Sequence, residues 1–162
     1  MYLVDANVLI QAKNQHYAFD IVPAFWDWLK KTHRAGRVFT VQSVYDEVLA
    51  RNDDLSDWIQ ALPSSFSLAP QSTDQASLST LSGWANSSRR YTQGAVAAFL
   101  SAGDYFLVAQ AHSLQYIVVT HETASPDSKK RIKIPEACAA LDVKWMTPFK
   151  MLRSEGACFS LQ

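Results

Sequence analysis

The stretch Tyr2-Leu3-Val4-Asp5-Ala6-Asn7-Val8-Leu9-Ile10 carries the strongest indication of fold class in this chain. Its first three residues form a short apolar run of the kind that lies buried in a parallel sheet. Asp5 places a carboxylate where that strand would end, and in open α/β sheets ligands bind beyond the carboxyl ends of strands. Because an unpaired buried carboxylate is costly, we expect Asp5 to meet a cation, a hydrogen-bond donor or a substrate. The structural alternative is a helix N-cap, a role open to Asp5 or Asn7.

Three further β-prone runs follow, and segments with helical spacing separate them. In the first such segment, Val22, Phe25, Trp26 and Leu29 recur at i, i+3, i+4 and i+7, which is typical of an amphipathic helix. Strands that alternate with helices predict an α/β fold with three layers, α/β/α, around a central, mainly parallel sheet of about four to five strands. The three runs are Val38-Phe39-Thr40-Val41, Tyr116-Ile117-Val118-Val119-Thr120 and Val143 to Met146.

Local signals predict where several helices begin. Ser43 followed by Asp46 resembles a capping box, so a helix should start there, with Asp46 as the cap and Glu47 as the acid that faces inward. Pro23, Pro135 and Pro148 suit first helical turns. The run from Ser64 to Ser88 is rich in Ser, Gln and Thr, and it contains apolar residues at helical spacing, so we expect a loop and a short surface helix; these residues are Leu78, Leu81, Trp84 and Ala85.

Length and composition limit the classes of protein that fit. With 162 residues the chain suits one domain, spanning residues 1–162. Fifteen basic and fifteen acidic residues balance, so net charge does not indicate a nucleic-acid binder. Two cysteines without C-x-x-C spacing are typical of thiols in a reducing compartment. No apolar run reaches the roughly 18 residues of a membrane helix, and no signal peptide is recognisable. We expect a cytoplasmic protein without a membrane partner.

Four acidic residues stand where this layout would bring them together. Asp5 follows the first strand, Glu47 lies early in the helix after the second, Asp104 opens a helix, and Glu122 follows the strand that ends at Thr120. Because the carboxyl ends of parallel strands share one edge, the four acids would converge there. Oxygen-rich sites of this type suit Mg²⁺ or Mn²⁺, ions that usually serve phosphoryl chemistry. Exposed helix caps would explain each acid singly, and this alternative stays open.

The order of these motifs resembles the PIN domain family, metal-dependent ribonucleases that include VapC-type toxins of toxin–antitoxin pairs. The resemblance covers nearly the whole chain, and it includes the family's opening strand, its three acidic motifs and its last strand. The matching segments are Leu3 to Ile10, Ser43-Val44-Tyr45-Asp46-Glu47-Val48, Asp104 to Ala111, Ile117-Val118-Val119-Thr120-His121-Glu122 and Trp145-Met146-Thr147-Pro148.

The resemblance implies a Mg²⁺- or Mn²⁺-dependent endoribonuclease that hydrolyses RNA phosphodiester bonds, as the toxin of a toxin–antitoxin pair. Asp5, Glu47 and Asp104 would hold one or two ions, directly or through water. Glu122 would orient the attacking water or support a second ion. Asn7 and Thr120 would hydrogen-bond to the carboxylates and fix them. An antitoxin protein and a second copy of the chain are the expected protein partners.

Three residues depart from the family pattern. Ala6 stands where many relatives carry Thr or Ser, Glu122 replaces the more usual Asp, and His121 replaces Asn. These departures favour an alternative function, a catalytically degenerate PIN-like module that binds RNA or a protein without cutting. A haloacid-dehalogenase-like phosphatase would need a second Asp where Asn7 stands. His121 lacks a partner at zinc spacing, and we interpret it as a bystander that lines the crevice.

Basic and aromatic residues outside the acidic motifs suggest binding surfaces. Lys129, Lys130 and Arg131 could bind RNA phosphates, and a solvated loop is the alternative. Arg89, Arg90 and Tyr91 could stack on a base, or simply form a surface loop. Some of the tryptophans lie on predicted helices that could meet a partner, although core packing explains them equally well; these are Trp26, Trp28 and Trp58.

Overall fold

The computed structural model describes residues 1–160, in which five parallel strands form a sheet. Strand order is β3-β2-β1-β4-β5, so the first strand lies in the centre. Tyr2 pairs with Val38 on one side and with Ile117 on the other. Each strand connection contains at least one helix, as parallel pairing requires. The strands are β1 (Tyr2–Val4), β2 (Val38–Val41), β3 (Ser67–Leu68), β4 (Ile117–Val119) and β5 (Trp145–Met146).

Nine α-helices among the described residues flank this sheet, and the α/β fold class predicted from the sequence is confirmed. A π-helical turn, Ala12–His16, extends α1, and a 3₁₀ turn, Ser64–Phe66, precedes β3. The helices are α1 (Ala6–Gln11), α2 (Pro23–Arg34), α3 (Gln42–Leu49), α4 (Asp54–Gln60), α5 (Asp74–Ser87), α6 (Gln93–Ser101), α7 (Gly103–Leu114), α8 (Ile134–Ala140) and α9 (Pro148–Ser154).

The central strands follow directly from their apolar runs. Leu3, Val4, Val118 and Val119 are each 0% exposed, because helices cover the sheet and leave these strands no solvated face. Helix α2 begins at a proline, and the side chains that recur at helical spacing on it are buried. Its last turn carries basic residues, which suit the negative end of the helix dipole.

Residues 64–88 contain a helix, as predicted, but this helix is longer than expected and one of its faces is buried. This segment contains the edge strand β3 and the 14-residue helix α5. Leu81 and Ala85 of α5 are buried against the core, and Tyr105 Oη of α7 donates a hydrogen bond to the Leu78 carbonyl. Ser77 and His112 also join the two helices through a 2.8 Å hydrogen bond. Contacts with α7 therefore define α5, whose own polar composition gives only a weak helical pattern.

The capping box assigned to Ser43 and Asp46 is also wrong. Helix α3 begins at Gln42, directly after β2, and no side chain caps it. The Ser43 hydroxyl donates instead to the carbonyl of Gly103, and Asp46 accepts from Gln42 Nε2 on the exposed side of α3. Because β2 leads straight into α3, the entry of this helix is fixed by the sheet rather than by a cap.

Two of the tryptophans considered for a partner surface pack with the core. Trp26 is 2% exposed, and its Nε1 donates to the carbonyl of Tyr17. Trp58 is half-buried, and its ring packs edge-on against Trp26 with the centroids 4.8 Å apart. Trp28 is half-buried as well. Trp26 is therefore a core residue and contributes no partner surface.

Within residues 1–160, no single helix is long and apolar enough to cross a membrane. Helices α6 and α7 reach the length and composition of a span only when taken together, and they meet at a 67° bend.

Replacing Leu81 with Ala tests the packing of α5. We expect Leu81→Ala to lower the free energy of unfolding by about 2–5 kcal/mol, because a fully buried side chain is removed and a cavity is left. Urea denaturation followed by circular dichroism measures the change. The control is the neighbouring Thr80→Ala, an exposed position on the same helix, for which we expect almost no effect. Equal stability of both variants would contradict the described packing of α5.

Candidate functional site

Four acidic side chains gather at the carboxyl edge of the sheet. Asp5 directly follows the central strand β1, and Glu122 follows its neighbour β4. Glu47 lies on α3, which starts where β2 ends, and Asp104 lies in the first turn of α7. The negative charges of Asp104, Glu122 and Glu47 each raise the pKa of Asp5, which places all four within one electrostatic environment.

The Asp5 carboxylate is buried, with 3% of the residue exposed. Thr120 Oγ1 donates a 2.9 Å hydrogen bond to Asp5 Oδ2. The pKa of Asp5 is raised to about 8, mainly by burial and next by the nearby charge of Asp104, while the hydrogen bond from Thr120 acts in the opposite direction. Asp5 occupies the N-cap position of α1, but its side chain makes no cap hydrogen bond. The N-cap alternative therefore does not account for its carboxylate.

Asn7 and Thr120 form a short network around Asp5. The Thr120 hydroxyl accepts hydrogen bonds from Asn7 Nδ2 at 3.3 Å and from the backbone N–H of Glu122 at 3.0 Å. Asn7 Oδ1 in turn accepts from the backbone N–H of His121. With both acceptor positions of its hydroxyl occupied, Thr120 directs its own proton to Asp5. The end of β1 and the segment after β4 are joined by these contacts.

Helices α3 and α7 approach each other closely at Gly103. A β-carbon at this position would lie 3.6 Å from both Glu47 Oε2 and Ser43 Oγ, an ordinary van der Waals contact that shows how closely the side chains of α3 approach α7. Asp104 follows immediately, and burial raises its pKa to about 6, with Glu122 and Glu47 adding to the shift and Arg131 opposing it. Glu47 itself is exposed. Its carboxylate nevertheless lies near the start of α7, and its charge raises the pKa of both Asp5 and Asp104.

Both carboxylate oxygens of Glu122 are engaged. Arg131 Nη2 donates to Oε1, and the backbone N–H of Ile134 donates to Oε2 at 2.8 Å. The side chain of Glu122 is 10% exposed, whereas that of Arg131 is 64% exposed. The sequence contained no local signal for this pair, because residues nine apart in an irregular segment have no fixed spatial relation.

The donor set of this edge suits a hard cation, since its side chains offer carboxylate oxygens. Among residues 1–160, however, no three His, Cys, Asp or Glu side chains are grouped closely enough to hold a metal ion together. Mg²⁺ is usually bound through one or two carboxylates and keeps several waters. Asp5 and Asp104, the two acids with the raised pKa values, fit that mode of binding better than they fit a complete protein cage.

Arg90 anchors the segment after β4 that carries Lys129, Lys130 and Arg131, which we call the basic segment. Arg90 donates to the carbonyls of Ser125 and Ser128, and its guanidinium lies 4.8 Å from the centroid of the Tyr91 ring. Tyr91 is 9% exposed, so neither side chain offers an open stacking surface for a base. Lys129 and Lys130 are exposed. The role of Arg90 is therefore to order the segment that carries the lysines.

Two histidine rings meet at the rim of the crevice. His16, in the π-helical turn, lies 5.4 Å from His121 between ring centroids, and Phe149 packs edge-on against both. Burial lowers the pKa of His121, and His16 lowers it further. No sequence pattern predicted this contact, because His16 and His121 are far apart in the sequence. His121 is half-buried and lies directly after Thr120, whose hydroxyl binds Asp5.

Replacing Asp5 with Asn should stabilise the metal-free protein. The raised pKa means that folded Asp5 holds a proton between about pH 4 and pH 8 while the unfolded chain does not, so wild-type stability falls as the pH rises through that window. Asn carries no such charge. We expect Asp5→Asn to be more stable by on the order of 3 kcal/mol at pH 8 and nearly unchanged near pH 4.

Urea denaturation in EDTA at pH 4.5, 6 and 8 measures this difference. The matched control is Asp20→Asn, an exposed position for which the three curves should follow the wild type. A variant that is less stable than the wild type at pH 8 would contradict the burial of a charged Asp5.

The arrangement of strands and helices is similar to that of a solved structure. A chain of a structure described as FitAB bound to an IR36 DNA fragment superposes with a TM-score of 0.56 at 16% sequence identity. The match covers 92% of this chain and 96% of that chain. It shows the fold, and the three-layer, PIN-like arrangement predicted from the sequence is confirmed.

Sequence comparisons place the chain in a family without giving it an activity. No protein among those with curated functions matches the sequence. Residues 2–159 match the family described as a domain of unknown function, DUF4411. This match spans nearly the whole chain, from the strand before Asp5 to the residues after α9. The protein therefore belongs to the DUF4411 family, with a PIN-like α/β fold.

Proposed function

We propose that this protein is a Mg²⁺- or Mn²⁺-dependent endoribonuclease that hydrolyses RNA phosphodiester bonds. The observation that carries the proposal is the placement of Asp5 and Asp104 at one edge of the sheet, where Asp5 is 3% exposed and receives a hydrogen bond from Thr120; the raised pKa of both acids supports it. Uncompensated carboxylates of this kind attract a cation. Pairs of groups with strongly shifted pKa values are also typical of functional sites.

Asp5, Glu47 and Asp104 would hold one or two ions, directly or through water. Bound there, the metal would supply an activated water and neutralise charge on the phosphate. The chain itself contributes fixed positions: Thr120 orients Asp5 by its hydrogen bond, and Asn7 holds Thr120. Such supporting contacts usually change metal affinity or activity by about 10–100-fold when removed.

Glu122 is the residue whose role the contacts constrain most. The hypothesis from the sequence has Glu122 orient the attacking water or support a second ion. With its two oxygens bound by Arg131 and by the Ile134 N–H, it would have to release one of these partners to do so.

Substrate contacts would come from the basic segment beside the acids. Lys129, Lys130 and Arg131 have exposed side chains, and RNA phosphates are the ligands that such residues bind. Because the acidic crevice repels a polyanion, nearby cations are needed to hold the RNA until a metal is bound.

A toxin function follows from the family resemblance, since PIN proteins include VapC-type toxins of toxin–antitoxin pairs. In this proposal the protein acts in the cytoplasm, an antitoxin protein binds and inhibits it, and a homodimer is the working assembly. The support is the fold, together with the order of the acidic motifs along the chain.

The second candidate function is a PIN-like module that binds RNA or a protein without cutting. The absence of a three-residue metal-ligand group among residues 1–160 favours it, as does the engagement of both Glu122 oxygens. Ala6, which provides no hydroxyl beside Asp5, points in the same direction.

Cleavage assays on total RNA separate these candidates. We expect the wild type to cleave RNA in the presence of Mg²⁺ or Mn²⁺, and we expect EDTA to abolish this cleavage. Asp5→Asn and Asp104→Asn should abolish cleavage because each removes a carboxylate from the site. Thr120→Val, which keeps the side-chain shape, should reduce cleavage by about 10–100-fold through loss of the hydrogen bond to Asp5. The exposed Asp20→Asn serves as the control and should cut normally.

Equal cleavage by the wild type, Asp5→Asn and Asp104→Asn would rule out the assigned site. If none of the proteins cuts RNA, calorimetric titration with Mn²⁺ decides between the candidates. A non-cutting module should bind Mn²⁺ weakly, and Asp5→Asn should not change that binding.

Growth after induced expression tests the toxin function. We expect the wild type to arrest bacterial growth and Asp5→Asn to permit it, because the variant keeps the fold but lacks the central carboxylate. Optical density and immunoblotting, for equal protein levels, provide the measurement. Arrest by both proteins at equal levels would show that toxicity, if present, does not arise from RNA cleavage at Asp5.

A further inference from the structure

The contacts of Glu122 separate it from the other three acids. Its backbone N–H binds Thr120 Oγ1, which places Glu122 at the rim of the Asp5 network. Its carboxylate accepts from Arg131 and from the backbone N–H of Ile134, the first residue of α8. The side chain is largely buried, and both of its oxygens already have donors. These are the contacts of a side chain that holds other groups in position.

Arg131 has the opposite character. Its side chain is 64% exposed, so its guanidinium reaches Glu122 while most of the side chain faces solvent. A guanidinium carries five N–H donors, and a contact to one carboxylate oxygen leaves others available. It also lies close enough to Asp104 to lower the pKa of that carboxyl. Glu122 thus holds an arginine with most of its side chain in solvent beside the other acids.

The segment that carries Arg131 is ordered independently of the crevice. Arg90 binds the carbonyls of Ser125 and Ser128, and the Thr92 N–H binds the carbonyl of Lys129. The Ser128 hydroxyl donates to the carbonyl of Arg131 itself. The backbone on both sides of the lysines is therefore anchored, and the direction of the Arg131 side chain is left to Glu122.

We propose that Glu122 is a positioning residue that holds the Arg131 guanidinium against the acidic crevice, where Arg131 binds a phosphate of the RNA strand. The inference rests on the proposed ribonuclease function and gives its site a phosphate contact. Arg suits this role because its planar fork binds a carboxylate on one edge and a phosphate on another. The Glu122 carboxylate reaches both Arg131 and the backbone N–H of Ile134.

The test uses a charge-neutral replacement of the pair, Glu122→Gln/Arg131→Gln, beside each single variant. The matched control is Arg34→Gln, an exposed arginine at the end of α2, which leads into the amino end of β2 and so lies at the opposite edge of the sheet. Two quantities are measured: the affinity for a labelled ten-nucleotide oligouridine in EDTA over a range of salt, and the affinity for Mn²⁺ without RNA, by calorimetry. Thermal melting confirms that each variant is folded.

We expect the double variant to bind oligouridine about tenfold more weakly, with a salt slope reduced by about 0.7, the value for one phosphate contact on a single strand. Its Mn²⁺ affinity should stay within about twofold of the wild type, because net charge is unchanged and no ligand is lost. Glu122→Gln alone should also weaken RNA binding, although it removes a negative charge. Arg34→Gln should leave the salt slope unchanged.

Several results would overturn the inference. A large loss of Mn²⁺ affinity in the double variant would make Glu122 a metal ligand. Tighter RNA binding by Glu122→Gln would show that its charge merely repels the strand. An unchanged salt slope in the double variant would remove Arg131 from the phosphate contacts while leaving the ribonuclease function standing. Failure of the wild type to bind oligouridine would defeat the proposed function together with the inference.

Discussion

The hydrogen bond from Thr120 to Asp5 is the contact on which the arrangement of this edge depends. It joins the end of the central strand β1 to the end of its neighbour β4, and it lies where water has almost no access. One hydroxyl offsets only part of the cost of burying a carboxylate. The part that is not offset appears as the raised pKa of Asp5, because burial disfavours the charged form of the carboxyl group. A position that destabilises the folded chain in this way is typical of a functional site, because a structural position would accommodate Asn equally well.

The fold was predictable where strands are apolar on both faces. Val38 to Val41 and Ile117 to Val119 lie in the interior of a helix-covered sheet, so their composition alone identifies them. Strand β3 could not be found in this way, because its two residues, Ser67 and Leu68, do not belong to an apolar run. Helix α5 was predicted, but only as a short surface helix, and its length and packing were not. Its contacts with α7, such as the hydrogen bond from the Tyr105 hydroxyl to the Leu78 carbonyl, cannot be predicted from a serine-rich segment alone.

The candidate site was predictable to the extent that it depends on topology. Asp5, Glu47 and Glu122 follow strand ends, and parallel strands bring their ends to one edge whatever the loops do. Side-chain partners were not predictable. Ser43 looked like a cap because of its spacing from Asp46, yet its hydroxyl binds Gly103, sixty residues away. The true capping box, Asp53 with Ser56, lies at α4. Local patterns identify a helix start only when no distant partner competes for the same side chain.

The irregular segment between β4 and α8 carries both an acid of the candidate site and the basic residues proposed to bind RNA, which the sequence analysis treated separately. Glu122 stands at its start and Arg131 near its end, and their contact closes the segment over the acidic edge. Binding a polyanion beside carboxylates requires a nearby cation that can still reach the polyanion. Glu122 holds Arg131 through one oxygen while most of the Arg131 side chain stays in solvent, so other donors of its guanidinium remain available to a phosphate. The backbone N–H of Glu122 also donates to Thr120, whose hydroxyl donates to Asp5. A shift of the basic segment would therefore change the position of the Asp5 carboxylate. Phosphate contact and placement of the central acid thus depend on the same stretch of backbone.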